Sequence, residues 1–271
     1  MNEDAEVAVD KSLALNPNLA EGHFARGLLL WTHAKRFPHE QTIKSYLRAI
    51  ELNPRFDEAH HQLGFVYLHV GLLDEGWKQL ETALAINPAN TLARYRFGVI
   101  HMCRGEYDDA LAIFKSTPLE NNPSLWTSQM STALFRSGRI DEANAMIAAF
   151  LDKYPKDEGG AVTSVRAMIL AGAKDARGAD EAIRASIAAG HNYGHFHHTA
   201  YNVASAYASL NRPGEAVKWL EETADDGFPC YPLFASDPQL NSLRKDPRFI
   251  ALMSRVERQW QRYKLIAERS P

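Results

Sequence analysis

Residues 52–88 read LNPRFDEAHHQLGFVYLHVGLLDEGWKQLETALAINP, and this stretch decides the fold. It begins with Leu52-Asn53-Pro54 and ends with Ile86-Asn87-Pro88, two similar phrases that lie 34 residues apart. A related phrase, Leu15-Asn16-Pro17, lies 37 residues before the first of them. A sequence period of roughly 20–50 residues is typical of proteins built from one small structural unit that is repeated along the chain. The sequence therefore predicts an array of similar units.

Glycine recurs with the same period. Gly64 and Gly98 are 34 residues apart, while Gly71, Gly105 and Gly138 form a second series spaced by 34 and 33 residues. Two helices that pack as a tight antiparallel hairpin need small side chains where their axes cross. A glycine in the turn also supplies the positive φ angle that such turns often require. We therefore expect the first series at helix crossings and the second series in the turns.

Apolar residues between these glycines recur at the three- and four-residue spacing of an amphipathic helix. Two stripes lie within the quoted stretch: Leu63, Val66, Tyr67 and Val70, then Trp77, Leu80 and Leu84. Each unit is therefore predicted to be a pair of helices, and the period gives about six pairs. The first runs from about residue 20 to 54, with an insertion around Phe37-Pro38. The fifth covers about 156–190 with a longer turn from Gly172 to Gly178, and the sixth begins near His197.

This pattern resembles the tetratricopeptide repeat family, whose unit of roughly 34 residues carries Leu-Gly, Tyr, Ala, Phe, Ala and Pro at fixed places. The matching residues are Leu63-Gly64, Tyr67, Ala83 and Pro88 in the clearest copy, and Phe97-Gly98, Ala110 and Phe114 in the next. His60 and Arg94 stand where the family has a large residue in its first helix. The resemblance implies an all-α fold, a right-handed α-solenoid of antiparallel helix pairs, that presents a concave surface to partners.

The two ends of the array differ from its middle. Residues 3–15 are expected to form the second helix of a hairpin whose first helix is not in the chain. We therefore expect either a piece of a longer protein or a first helix that packs on something not present here. We assign residues 1–235 to the repeat array and 236–271 to C-terminal capping helices, because terminal repeats need a cap. The last helix should begin near Pro247. Its predicted apolar stripe is Phe249, Leu252, Val256, Trp260 and Tyr263, and its basic face, interpreted as solvated, is Arg255, Arg258, Arg262 and Arg269.

The C-terminal part of the chain carries a second, narrower resemblance. Residues 227–234 read GFPCYPLF, Asp237-Pro238 follow, and residues 243–249 read LRKDPRF. This region is similar to the repeat regions of bacterial signalling proteins that carry a serine/threonine kinase, winged-helix regulator or cyclase domain upstream. The resemblance implies a bacterial origin, an upstream signalling domain in the native chain, and a sensor or scaffold role.

Composition excludes several classes of function. With 45% hydrophobic and 23% charged residues, the chain has the balance of a folded soluble protein. A formal net charge of −3 argues against a nucleic-acid partner. No segment approaches the roughly 18 consecutive apolar residues of a membrane span, so membrane insertion is not expected. Cys103 and Cys230 lie far apart and in no metal-ligand spacing, which favours two buried thiols and leaves the redox compartment open.

Histidines form the one cluster in the sequence that could bind a metal ion. His191, His195, His197 and His198 lie within eight residues, and the i, i+3 spacing of His195 and His198 would allow both to face one metal ion. No Asp or Glu lies in this stretch, so structural or partner-contacting histidines are favoured over a metal site. The sequence contains no phosphate-binding glycine loop, nucleophile elbow or paired cysteine motif. We therefore expect no catalytic residues, no metal and no cofactor, and a chain that is not an enzyme.

A partner-binding groove follows from the hairpin register, because the first helix of each pair is expected to line the concave face. The predicted groove residues are Phe24, Trp31, His61, Phe65, His69, Tyr95, Met102, Arg136, Arg166, His198 and Tyr201. Aromatic anchors suit an extended or helical peptide, and two arginines are suited to a carboxylate or phosphate of the ligand. The favoured function is a non-catalytic scaffold that binds a protein or peptide. The alternative is a ligand-sensing regulatory module of a larger bacterial signalling protein.

Overall fold

The structure is a computed structural model, and it describes residues 3–190 and 193–268. About 80% of the chain is helical and the described residues contain no β-strand, which confirms the predicted all-α repeat fold. The α-helices are α1 (Glu3–Leu15), α2 (Ala20–Leu30), α3 (His39–Leu52), α4 (Asp57–His69), α5 (Leu73–Ile86), α6 (Thr91–Arg104), α7 (Tyr107–Ser116), α8 (Pro123–Arg136), α9 (Ile140–Lys153), α10 (Ala161–Gly172), α11 (Ala176–Gly190), α12 (Phe196–Ser209), α13 (Pro213–Asp225), α14 (Tyr231–Ser236) and α15 (Pro247–Glu268). Within this described part of the chain, no helix has both the length and the apolar character that crossing a membrane requires.

Six pairs of neighbouring helices make up the array, from α2 with α3 to α12 with α13. The glycines lie where the period predicts them. A Cβ atom on Gly64 would lie 3.1 Å from the carbonyl oxygen of Gly76, so a larger side chain would push α4 and α5 apart. Gly71, Gly105 and Gly138 occupy the turns with φ angles of 80°, 78° and 81°. These values fall in the left-handed region, which glycine enters without steric cost.

One continuous apolar core runs through the middle of the array, from α4 to α12. It contains Leu80, Ile100 and Phe114, whose side chains are fully buried. Burying a side chain of this size contributes about 1.5–3 kcal/mol by removing apolar surface from water. A second core joins α12 and α13 to the first half of α15, and a third joins α2 to α4 with the second half of α15. The last helix therefore packs against both ends of the array.

The fifth hairpin differs from the expectation. α10 ends at Gly172 and α11 begins at Ala176, so the turn has only three residues and the prediction of a longer turn is wrong. Lys174, with a φ angle of 63°, supplies the left-handed conformation that glycine supplies in the regular turns. Gly178 lies in the first turn of α11, where its N–H donates to Asp175 Oδ1 at 2.9 Å.

After α13 the chain leaves the hairpin pattern. Residues 226–243, which we call the inner segment, contain α14 and a 3-10 helix at Pro238–Leu243. This segment lies against the first helices of four hairpins. Its contacts are Phe228 with His69 of α4, Cys230 with Cys103 of α6, and Asp237 with both Arg136 of α8 and Tyr201 of α12. The chain itself therefore covers part of its own concave face.

The two ends of the array touch one another, and we call these contacts the closure. Side-chain hydrogen bonds between described residues that span it include His33 Nδ1 with Asp226 Oδ1 (2.5 Å), His39 Nε2 with Gly227 O (3.1 Å), Trp260 Nε1 with Gly71 O (2.9 Å) and Arg262 Nη2 with Glu40 Oε2 (2.7 Å). The bonded residues lie between 188 and 222 positions apart in sequence. Phe37, in the predicted insertion, is buried against Gly227. The insertion thus holds the start of the inner segment.

Candidate functional site

Two adjoining cavities open on the concave face beside the inner segment. Their volumes are about 60 and 130 Å³, and Val99, Gln129 and His198 lie in the walls of both. A water molecule needs about 10–15 Å³ of such volume, whereas a small-molecule site typically offers about 300–1,000 Å³. The cavities therefore have room for a few waters or for single side chains, and not for a whole helix.

The smaller cavity lies between α6, α8, α12 and the inner segment. At its edge Arg136 Nη1 donates to Asp237 Oδ1, and the Tyr201 hydroxyl donates to Asp237 Oδ2 at 2.5 Å. The charged side chains of this ion pair are almost completely buried. Burial opposes the charge on Arg136, but Asp237 more than offsets it and raises the arginine pKa. The carboxylate that Arg136 was expected to take from a ligand is supplied by the chain itself.

The larger cavity lies between α4, α6, α8 and the loop before α12. The Arg96 guanidinium carbon lies 3.4 Å from the centre of the Phe65 ring, and Nη1 donates to the His61 carbonyl oxygen at 3.2 Å. Burial lowers the pKa of Arg96 to about 9, so the side chain still carries its charge at neutral pH. The hydroxyl of Tyr95 is buried in the same wall and has no hydrogen-bond partner among residues 3–190 and 193–268.

Four imidazoles meet at the end of this cavity. His69 from α4 joins His195, His197 and His198, and one ring nitrogen from each lies within 4.8 Å of the others. His69 Nδ1 is 2.9 Å from the Phe65 carbonyl oxygen, and His197 Nδ1 is 2.8 Å from that of Asp226. His191, which the sequence placed in the same group, lies outside the described residues.

Burial sets the protonation state of these histidines. It lowers the pKa of His195 to about 4 and that of His198 to about 3. Burial and the neighbouring imidazole of His198 hold the pKa values of His69 and His197 well below the ordinary value. All four rings are therefore neutral at pH 7, each with one ring nitrogen that carries a lone pair.

The eleven predicted groove residues fall into two sets. Seven of them line the cavities: Phe65, His69, Tyr95, Met102, Arg136, His198 and Tyr201. Phe24 packs instead on Tyr46 and Phe56, with ring centres 5.9 and 4.8 Å apart. Trp31 meets Phe65 edge-on, and His61 is buried behind Arg96. Arg166 is exposed on α10 and lines neither cavity.

Sequence reasoning missed several residues that line these cavities, among them Arg96, Gln129 and Asp237. Arg96 and Gln129 lie next to residues of the inward stripe, and the helical register alone does not settle which of two adjacent positions turns inward. Asp237 comes from the inner segment, whose path across the concave face has no periodic signal. Its signature, an acid before Pro238, indicates a helix N-cap, and the carboxylate does accept the Gln239 N–H at 2.8 Å.

Comparison with known proteins gives partial matches along the array. A family model described as "TPR repeat" matches residues 39–71. A BBSome complex member of Caenorhabditis elegans, bbs-4, is 32% identical over 88 residues, covering 32% of this chain and 19% of that protein. Hsp70-Hsp90 organizing protein 1 of Glycine max is 25% identical over 122 residues, covering 45% of this chain and 21% of that protein. The matches thus span about a fifth of the length of these curated relatives.

Among solved structures, the crystal structure of the yeast Tom70 superposes with a TM-score of 0.54 at 16% sequence identity. The superposition covers 97% of this chain and 56% of that chain. At this identity the likeness shows the fold alone, which is a helical-repeat solenoid. The family-model match covers α3 and α4 within this solenoid.

Proposed function

We propose that this chain is a non-catalytic scaffold that binds a partner polypeptide on its concave face. The partner would lie along α6 and α8 and insert side chains into the two cavities. The proposed site comprises the seven predicted residues that line them, together with Gln129 and Arg96. The single observation that carries the proposal is that first helices of successive hairpins present adjoining cavities to one open face.

The chemistry of the larger cavity indicates the kind of side chain that it accepts. Its wall offers the buried hydroxyl of Tyr95 and the charged guanidinium of Arg96, set among Phe65, Leu92 and Leu125. A buried hydroxyl without a partner costs free energy that a bound hydrogen-bond acceptor recovers. Because Arg96 keeps its charge at neutral pH, we expect an acidic side chain of the partner to enter this cavity.

A scaffold role without catalysis is supported by two further observations. Two of the relatives are a BBSome complex member and an Hsp70-Hsp90 organizing protein. Neither name describes an enzyme, and the sequence carries none of the nucleotide-binding or nucleophile motifs sought above. Repeat arrays bind partners along extended surfaces, which matches the adjoining cavities.

Peptide selection followed by blocking of the cavities tests this proposal. A random peptide library displayed on phage is selected against the protein, and the best peptide is measured by fluorescence anisotropy. Gln129 is half-buried in the wall shared by both cavities, so Gln129→Trp should fill them and weaken binding at least tenfold. Lys78→Trp, on the exposed side of α5, is the matched control and should leave affinity unchanged. Equal affinity in both variants would remove the concave face as the site.

A regulatory module of a larger signalling protein is the second candidate. The observation that favours it is the inner segment, which lies on the same face as the cavities and ties into the closure. A ligand that displaces this segment would change the contact between the ends of the array. Hydrogen exchange of residues 226–243 with and without the selected peptide separates the two roles. Faster exchange on binding supports the regulatory module, and unchanged exchange supports the scaffold alone.

A further inference from the structure

The four imidazoles of His69, His195, His197 and His198 come from two distant parts of the chain and converge on one point. His69 is the last residue of α4 in the second hairpin, whereas His195 directly precedes α12 of the sixth hairpin and His197 and His198 lie in its first turn. One nitrogen from each ring lies within 4.8 Å of the other three. One nitrogen from each ring therefore lies within reach of a common point between the four rings.

Three nitrogens of this cluster are buried and unsatisfied. His69 Nε2, His195 Nδ1 and His197 Nε2 have no hydrogen-bond partner in the described ranges 3–190 and 193–268. Buried polar atoms in folded proteins are nearly always hydrogen-bonded, and the exceptions require an explanation. Three exceptions in one cluster indicate a ligand that accepts several lone pairs at once.

The tautomers of two rings are fixed by the backbone. His69 Nδ1 faces the Phe65 carbonyl oxygen at 2.9 Å, and His197 Nδ1 faces the Asp226 carbonyl oxygen at 2.8 Å. A carbonyl oxygen only accepts, so both Nδ1 atoms carry the proton and both Nε2 atoms carry a lone pair. Histidines that bind metals characteristically donate their second ring N–H to a carbonyl or carboxylate in this way. The support that a metal-binding histidine needs is therefore already present.

We propose that His69, His195, His197 and His198 bind one first-row transition-metal ion in tetrahedral coordination. Imidazole nitrogens suit zinc, copper and nickel, and zinc takes four such ligands at about 2.0–2.1 Å. Tetrahedral geometry at that bond length separates the nitrogens by about 3.4 Å. Because the present separations are at most 4.8 Å, side-chain rotations that move each nitrogen by about 1 Å complete the site.

The surrounding charges act in both directions. Arg96 is close enough to depress the pKa values of His69 and His195, so its positive charge opposes a cation. Asp226 opposes Arg96, because its buried Oδ2 lies 3.9 Å from His197 Nδ1 behind the ring. The larger cavity, lined by His69, His195 and His198, is the path by which an ion enters.

The residues alone had favoured structural histidines, since the stretch 191–198 holds no acidic ligand. His69, from a separate hairpin, makes a metal site the better interpretation, because it supplies a fourth nitrogen and completes a closed coordination shell. A second group, His101 with Glu106 and Asp109, is weaker: His101 Nδ1 already has a partner in Glu106 at 2.6 Å, and both acids are exposed.

Metal binding by the untagged protein tests the proposal. The protein is stripped with a chelator, and Zn²⁺ binding is measured by titration calorimetry and by elemental analysis after gel filtration. We expect one equivalent of zinc, and a Co²⁺ adduct with the intense visible bands of tetrahedral coordination. His195→Ala and His69→Ala should each lower zinc affinity at least about 100-fold, more than the loss of an outer partner does.

The matched control is His60, a buried histidine whose ring nitrogens are both occupied. Its Nδ1 contacts Gln79 Oε1 at 2.7 Å and its Nε2 contacts Pro54 O at 3.1 Å. His60→Ala should therefore keep one zinc per chain.

His195 is half-buried in the loop before α12, so His195→Ala remains informative if His69→Ala does not fold. No binding of zinc or cobalt by the wild type, or equal affinity in wild type and His195→Ala, overturns the proposal.

Discussion

The middle of the array and the closure are held together in different ways. Between α4 and α9, each helix packs on its neighbours in sequence, and small residues such as Gly64 and Gly98 set the distance between axes. The closure instead joins residues 188 to 222 positions apart, through polar pairs such as His39 with Gly227 and through the third apolar core. In a periodic sequence, the same packing is encoded in every repeat, whereas each closure contact depends on a single pair of residues. Mutations should therefore have distinct signatures in the two regions.

Phe114→Ala should have the largest effect and should act on the whole array. Phe114 is fully buried, its ring centre lies 5.0 Å from that of Tyr95, and it fills the space above Gly98. Removing the ring leaves a cavity, and we expect a loss of about 4 kcal/mol in the free energy of unfolding. Urea unfolding followed by circular dichroism measures it. A loss below about 1 kcal/mol would mean that neighbouring repeats relax into the space.

Asp237→Ala should cost about 3 kcal/mol, because it leaves the buried charge of Arg136 without its carboxylate. The double variant Arg136→Met/Asp237→Leu removes both charges and should recover most of that loss. The exposed pair Arg177 with Glu181 is the control, and Glu181→Ala should cost at most about 1 kcal/mol. Thermal unfolding of the four proteins checks the order. If the double variant is no more stable than Asp237→Ala, the ion pair is not the reason for the loss.

Trp260→Ala should weaken the closure and leave the array folded. The indole donates to the Gly71 carbonyl and stacks near Tyr231, with ring centres 5.3 Å apart. Loss of the hydrogen bond and of part of the buried ring should cost about 2 kcal/mol. We expect faster hydrogen exchange in the second half of α15, with unchanged exchange in α6 to α9. Leu265→Ala, at an exposed position of the same helix, should leave hydrogen exchange unchanged in both regions. If Trp260→Ala instead accelerates exchange uniformly along the chain, the closure is not a separate unit.

Two turn glycines with the same backbone conformation give the finest comparison. Gly71 and Gly138 have φ angles of 80° and 81°, so alanine carries the same backbone strain at both, about 1 kcal/mol. A Cβ atom on Gly138 would meet nothing within 4 Å, whereas one on Gly71 would lie 2.5 Å from Pro232 Cδ in the inner segment. Gly71→Ala should therefore cost about 1–2 kcal/mol more than Gly138→Ala. Equal melting temperatures would show that the inner segment yields freely at this point.

The sequence predicted the local parts of this structure because they follow from spacing. The helix at residues 3–15 and the start of the last helix at Pro247 lie where they were expected. The hairpin register also selected Tyr95 and Arg136, which line the two cavities. Lys174, in contrast, replaces a turn glycine, so the fifth turn was misjudged. A positive φ at a lysine has no signature in a single sequence.

The contacts between distant hairpins could not be predicted from the sequence, for a physical reason. The pairs Arg136 with Asp237 and His69 with His197 depend on how far the array curves, and curvature is the sum of small rotations at every hairpin. A sequence period fixes the neighbours of each helix but not that sum. The structure was therefore needed to identify Asp237 as the partner of Arg136 and His69 as the fourth histidine of the cluster.

The closure also has a consequence for the order in which the chain folds. Hairpins between α4 and α9 need contacts only between near neighbours, and such contacts form quickly. The bond between His39 and Gly227 requires the chain to close a loop of 188 residues. The conformational entropy lost in closing this loop opposes the contact, so it should form late. Refolding should thus show a rapid gain of helix followed by a slower rise in Trp260 burial. Because that second step brings His69 to His195, zinc present during refolding should accelerate late events and leave early ones untouched.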